Sequence, residues 1–425
     1  MKRTLLIVSY LYAPSPDVGA KRFSFLAREF EKLGYDVHVI ANATGDSPHG
    51  HRADPSLPLS GQVHTCKSPL ELPLPGRSTF VRKLNALIAR LLAPVGSEYF
   101  WARAATRRAL EIARELPPGV VIATSPPHAA LFAGARIARR LGWPLILDYR
   151  DPWSGYEWPA WRRGRVAQWF ARAFESRLIE RSAARVFNTP AMRTWFEKFF
   201  PLAPAARNFV IPNGFDALPA PSPVASGPIK IVHAGTIFTG RSLVPVLEAM
   251  RRLGVKHPDR PMHLTTYGDL PEGEVQRIDA ANLQSFIDVR PRLPLAQLQP
   301  ELQAAHVLLA VVGEHMTYST PYKVYDYMAA GRPVLGLAPR GAALFDLLEE
   351  SGAGTCVEFG DGPGIEAAIE ALAFGGARTE RSRVDGFRWS RLALQYRMAI
   401  ETVATSGTNR VPSSGAARRA LDLRR

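Results

Sequence analysis

The chain is predicted to be an α/β protein of two doubly wound β/α domains facing each other across a cleft. Three observations predict it. With 425 residues, 46% of them hydrophobic and 21% charged, there is material for two cores. Short apolar runs alternate with segments of helical period in both halves. A stretch of linker composition, ALPAPSPVASGP at 217–228, separates two halves of similar size.

In the first half, residues 4–8 are a continuous apolar run, as in a strand buried on both faces. Lys2 and Arg3 before it imitate a secretory leader, but Ser9, Tyr10 and Tyr12 interrupt it early, so it is read as a first strand. A loop at 9–20 carries Pro14, Pro16 and Gly19. Phe23, Leu26, Ala27, Phe30 and Leu33 then recur at helical spacing as far as Gly34, and 37–40 is the next strand. Ligands of doubly wound sheets meet the loops at strand carboxyl ends. Gly19 would let a ligand approach the backbone there, and Lys21 and Arg22 would meet an anion.

Residues 44–80 read as irregular, and 80–117 as two amphipathic helices broken near Pro94. Their Arg82, Lys83, Arg90, Arg103, Arg107 and Arg108 alternate with apolar residues. That pattern suits a face lying on an anionic bilayer, or two ordinary packed helices with solvated arginines. Strands at 120–123 and 144–147 empty into TSPPH at 124–128 and DYRDPW at 148–153. These place His128, Arg150, Asp151 and Trp153 at strand ends, in a polar cluster that could equally satisfy itself. A second basic and aromatic patch follows, with Trp158, Trp161, Arg162, Arg163, Arg165, Trp169 and Arg172. Seven of the eight tryptophans precede residue 200, so this half would be the one to meet lipid. A helix at 174–184, strands at 185–188 and 209–212 and a turn at 213–216 complete it.

The second half restarts the pattern. A strand at 229–233 leads to AGTIFTGR at 234–241 and a helix at 243–253, with Gly235, Thr236 and Arg241 combining amides and a cation for a phosphate. The glycine spacing is not a dinucleotide fingerprint. Strands follow at 263–267, 287–289, 307–312, 334–337 and 355–358, and helices at 364–371 and 388–404. The chain is organised around YSTPYKVYDYMAAGRPVLGL at 318–337. Ser319 or Thr320 would cap a helix with Pro321 at its first position, and Gly331 and Pro333 would end it. Lys323 adds a charge to the helix N-terminus, and Asp326 lies one turn on from Tyr322 and Lys323. A cation with helix amides suits a diphosphate, and a carboxylate suits sugar hydroxyls. A plain capped helix with a solvated Lys–Asp pair is the alternative.

The net charge of +15 points to anionic partners: nucleic acid, an anionic membrane face or phosphorylated ligands. Cys66 and Cys356 form neither a disulfide framework nor a metal pattern and suit a reducing cytoplasm. No apolar run is long enough for a transmembrane helix.

These pieces, in this order, resemble the glycosyltransferases of family 4, over roughly residues 4–404. The markers are Gly19-Ala20, TSPPH, DYRDPW, FESRLIERSAARVFNT at 174–189, IPNGFD at 211–216, HAGTIFTGR at 233–241 and TPYKVYDYMAAGRPVLG at 320–336. The resemblance implies the GT-B fold, two Rossmann-like domains. Residues 1–216 would bind acceptor and 229–387 a nucleotide-sugar. A helix at 388–405 would pack back towards the first domain, ahead of a basic tail at 406–425. It implies metal-independent transfer, usually retaining, with no cofactor beside the UDP- or GDP-sugar donor. Gly19, Gly235, Thr236, Arg241, Ser319, Thr320, Lys323 and Asp326 would bind the donor, with Asp326 on the ribose hydroxyls. His128, Arg150 and Asp151 would orient donor sugar and acceptor. The sequence departs from the family in two places: Tyr318 stands where the first of two glutamates is expected, and no lysine follows Arg241 closely.

The expected activity is therefore transfer to a lipid-linked or polysaccharide acceptor for the cell surface, by a cytoplasmic protein held peripherally on the inner membrane face. Nucleic acid is not expected, because a polymer groove would spread its basic residues along a track. Two rivals are an epimerase on the same fold and a non-catalytic protein binding an anionic polymer.

Overall fold

A computed structural model describes residues 2–43, 53–67, 98–154, 165–201, 204–219, 227–237, 241–314, 316–375 and 379–406. The helical segment expected at 80–97, the patch at 158–163, most of the linker and the tail beyond 406 lie outside them.

The first sheet has seven parallel strands in the order β3-β2-β1-β4-β5-β6-β7. They are β1 Thr4–Val8, β2 Asp36–Asn42, β3 Gln62–Cys66, β4 Gly119–Ser125, β5 Leu145–Tyr149, β6 Ala184–Phe187 and β7 Asn208–Val210. Helices α1 Val18–Lys32, α2 Tyr99–Ile112, α3 Ala129–Leu141, α4 Arg165–Arg181 and α5 Pro190–Phe199 make the crossovers. The second sheet has six parallel strands in the order β10-β9-β8-β11-β12-β13. These are β8 Ile229–Ala234, β9 Met262–Tyr267, β10 Ile287–Arg290, β11 Val307–Val311, β12 Val334–Ala338 and β13 Gly354–Glu358. Its helices are α6 Val244–Lys256, α7 Glu272–Ala280, α8 Leu295–Gln303, α9 Lys323–Ala330, α10 Ala343–Ser351, α11 Gly362–Phe374 and the short α12 Arg381–Val384. Apolar clusters fill both faces of each sheet, which is why the strands read as unbroken apolar runs.

Strand order reverses between β1 and β4 in one sheet and between β8 and β11 in the other. At such a switch point the neighbouring crossovers leave on opposite faces and a crevice opens at the carboxyl ends. The loops after these four strands carry most of the residues singled out above.

The chain crosses between domains twice, and the two crossings run side by side. Phe215 N–H donates to Phe387 O at 3.2 Å and Trp389 N–H to Phe215 O at 3.0 Å. Gly214 leaves room for this, since a Cβ there would lie 2.4 Å from Phe387 O. The last helix, α13 Trp389–Ser406, then joins the first domain's core. Trp389 stacks on Phe25 at 6.1 Å, and Tyr396 meets Phe23 and Phe30 edge-on.

Three local expectations are corrected. Residues 62–66 form β3 rather than an irregular segment. The strand sits at the sheet edge with mostly polar, part-exposed residues, so it lacks an apolar signature. Helix α1 begins at Val18, so Gly19 lies in its first turn rather than in the loop. Neither Ser319 nor Thr320 caps α9. The N-cap is Tyr322, without a side-chain bond, because Thr320 Oγ1 is engaged with Tyr325 OH at 3.0 Å. Gly331 ends α9 at φ 69°.

Candidate functional site

The second domain gathers a basic centre at its switch point. Lys323 opens α9 beyond β11, and its Nζ lies 3.2 Å from Nε2 of His233 on β8. His233 is buried, and its Nδ1 is 2.9 Å from Leu309 O. A carbonyl only accepts, so Nδ1 carries the proton and Nε2 accepts from Lys323. Burial first, then Lys323, hold the imidazole far below its ordinary pKa, so the ring is neutral. Burial, with the fields of Arg241 and Arg292, pulls Lys323 down to about 7. No carboxylate among the described residues lies within ion-pair distance of it.

Gly235, at φ 106°, bends the chain directly after β8, and a Cβ there would lie 3.0 Å from Lys323 Nζ. The loop is pinned from behind: Gly235 N–H donates to Tyr267 O at 2.8 Å, and Ala234 N–H to Tyr327 OH at 2.7 Å. Thr236 follows at the mouth, half-buried. Arg241 reaches Met316 Sδ at 3.6 Å. Ser319 and Thr320 are buried where the other switch-point loop enters α9.

One turn along α9, Asp326 faces the first domain. Lys21, from α1, donates to its Oδ2 at 3.1 Å and lies 4.5 Å above the Tyr322 ring. Burial raises the Asp326 pKa, with Lys21 opposing. Tyr322 OH donates to Gly214 O at 2.8 Å. Farther out, Tyr318 packs its ring on Trp195 at 5.9 Å, and its carbonyl accepts from Thr189. The tyrosine at the expected glutamate position is thus an inter-domain contact.

On the first domain's side, His128 stands at the head of α3 and stacks on buried Trp153 at 5.2 Å. Asp151 is half-buried nearby in sequence and accepts no hydrogen bond among the described residues. Burial raises its pKa, partly offset by Arg150. Arg150 is engaged by backbone carbonyls. Its guanidinium donates to Ser125 O at 3.1 Å, Gly19 O at 2.5 Å and Pro126 O. It ties the loops after β1, β4 and β5 together. Gly19 is needed because a Cβ would lie 2.6 Å from Arg150 Nη1 and from Leu11 Cδ1.

The fold therefore brings Gly235, Thr236, Arg241, Ser319, Thr320 and Lys323 to one switch point and sets Asp326 against the first domain. Gly19 and Arg150 form a scaffold under the opposing loops, with His128 and Asp151 at those loops' ends. Sequence reasoning missed His233 and Arg292 as members of the basic centre. It also missed that Lys21 pairs with Asp326. His233 carried a signal, as a histidine in the last turn of an apolar strand that ends at a glycine loop.

Two family profiles match the chain: Glycosyl transferase 4-like domain over residues 19–214 and Glycosyl transferases group 1 over 228–373. No curated protein sequence matches it. Among solved structures, sucrose-phosphate synthase from Thermosynechococcus elongatus is similar at TM-score 0.66 and 15% identity, over 96% of this chain and 100% of that one. An α,α-trehalose-phosphate synthase (UDP-forming) from Burkholderia vietnamiensis aligns at TM-score 0.60 and 13% identity, over 97% and 100%. A lipopolysaccharide outer core galactosyltransferase aligns at 0.58 and 11%, over 95% and 99%. At these identities the likeness is one of fold.

Proposed function

We propose, from the premise that this chain belongs to the family-4-type glycosyltransferases of GT-B fold, that it moves a sugar from a UDP- or GDP-sugar to a lipid-linked or polysaccharide acceptor. The observation that carries the reading is Lys323, a desolvated cation on neutral His233 with basic neighbours and no carboxylate partner among the described residues. Such a centre gains most from an anion of two phosphates. In this reading Lys323, Arg241 and the amides near Gly235 and Thr236 hold the diphosphate. Asp326 accepts from the ribose hydroxyls once Lys21 releases it. Ser319 and Thr320 shape the entry to α9.

In the transfer, the bond from the anomeric carbon to the diphosphate oxygen breaks, and the nucleoside diphosphate leaves with the electron pair. The acceptor oxygen bonds to the same carbon, and its proton passes to the departing diphosphate oxygen. Lys323 and Arg241 meet the leaving charge without a metal. His128 and Asp151 orient donor sugar and acceptor, and Arg150 fixes the loops that present them. Retention at the anomeric carbon is part of the proposal. So is a peripheral place on the cytoplasmic membrane face; no helix among the described residues is long and apolar enough to cross a membrane.

A thermal-shift screen against UDP, GDP, ADP, dTDP and CMP without added metal tests the donor assignment. Stabilisation by one diphosphate, lost in Lys323→Met, is the expected result. No shift with any of them would overturn it. Turnover of a UDP- or GDP-sugar without acceptor, giving an isomeric sugar and no free nucleotide, would favour the epimerase.

A further inference from the structure

A second concentration of positive charge lies away from the cleft. Lys67, Arg103, Arg107, Arg114, Arg136 and Arg140 line one open concavity of about 730 Å³ on the outer side of α2 and α3. The fold makes it by simple periodicity. Helix α2 turns Trp101, Ala102, Ala105 and Ala109 into the core, which leaves Arg103 and Arg107 outside. Helix α3 buries Ala133, Ile137 and Ala138, and Arg136 and Arg140 share a flank at i, i+4. Small residues at the contact let the helices approach, so the two basic rows converge.

Glu111 is the one acid among the described lining residues, and it is engaged by Arg107 at 3.9 Å and Arg108 at 3.4 Å. Arg136 lies 5.8 Å from the Phe132 ring centroid, and its buried Nε donates to nothing among the described residues. Phe100 and Leu110 add an apolar wall. Solvated surface arginines would spread apart to lower their repulsion. Gathering six cations around one hollow is a cost that a multivalent anion relieves. The hollow is separate from the donor site: Arg140 lies twelve residues beyond His128, about 18 Å along the helix.

We propose that this concavity is a second anion site, taking a ligand with clustered phosphates and an apolar portion against Phe100 and Leu110. The phosphates could come from a soluble phosphorylated molecule or from lipid headgroups. The proposal does not depend on the donor assignment.

The test uses the full chain carrying Lys323→Met, so that the cleft does not report. Inorganic pyrophosphate is titrated by calorimetry with and without Arg103→Gln, Arg107→Gln and Arg140→Gln. The same proteins are sedimented with vesicles of phosphatidylcholine, alone or mixed with phosphatidylglycerol. Loss of pyrophosphate affinity of about tenfold or more in the triple variant supports the site. Loss confined to pyrophosphate assigns a soluble ligand, and loss of binding to the anionic vesicles assigns headgroups. Unchanged binding in both arms overturns the proposal. Should the triple variant misfold, Arg136→Met makes the same comparison, and pyrophosphate affinity within twofold of its parent would count against the site.

Discussion

Arg22 and Lys323 are both basic side chains taken out of water near the start of a helix that follows a switch-point strand, and they are satisfied in opposite ways. Arg22, 1% exposed, makes two-pronged contact with Asp148, at 3.1 Å through Nε and 2.9 Å through Nη2. Its remaining donors reach Ile211 O, Pro212 O and Asn213 Oδ1. Asp148 also accepts from Thr124 and Tyr396. Burial pulls the Arg22 pKa down and Asp148 more than restores it. One pair thus joins α1, β5, the first inter-domain crossing and α13. Lys323 has a neutral ring and other cations for company. A buried charge whose every donor is used belongs to the architecture, whereas one left with like charges is kept for something that arrives later.

The comparison breaks most visibly at Lys323→Met. It should cut transfer about 100-fold or more and remove the nucleoside diphosphate shift, measured by donor turnover and melting. The same change should stabilise the empty protein at neutral pH by ~1–3 kcal/mol, because the buried ammonium is then gone. A parallel loss of stability would place Lys323 with Arg22. Conversely, Arg22→Met strands Asp148 and should cost about 3–5 kcal/mol in denaturant unfolding. Donor affinity of the folded fraction should change little.

The pH dependence sharpens the contrast. In the empty protein Lys323 titrates at about 7, and unfolded it returns to its ordinary value of 10.5. Between those values the unfolded chain binds more protons, so this residue makes the empty protein more stable as pH rises through that window. Bound phosphate favours the ammonium, so above pH 7 binding takes up a proton. Diphosphate affinity should then fall by up to about tenfold per pH unit, read from calorimetric titrations across that range. A flat profile would mean that Lys323 is already charged. The smallest effect is expected from Lys21→Ala, which frees Asp326. It should tighten UDP or GDP by about two- to fivefold if Lys21 competes with the ribose, and weaken it if Lys21 instead follows the nucleotide.

Much of the fold was legible. Strands such as Thr4–Val8 and Val307–Val311 are buried on both faces and must be apolar throughout, so they announce themselves. The edge strand Gln62–Cys66 did not, because an edge strand is not held to that pattern. The candidate site was legible as a set of loops. Gly235, Arg241, Lys323 and Asp326 stand out because glycine and charge at strand ends are costly unless used.

What the residues do to one another was not legible. Composition and period determined two doubly wound domains and the positions where polar chemistry gathers, since burial and backbone hydrogen bonding act locally along the chain. Only the tertiary structure decided that His233 lies under Lys323, that Lys21 reaches Asp326 across the cleft, and that the Arg150 guanidinium ties loops together through their backbone carbonyls. These pairings join residues 90, 305 and up to 131 positions apart. Their strength depends on distance and desolvation in three dimensions, which no local pattern encodes.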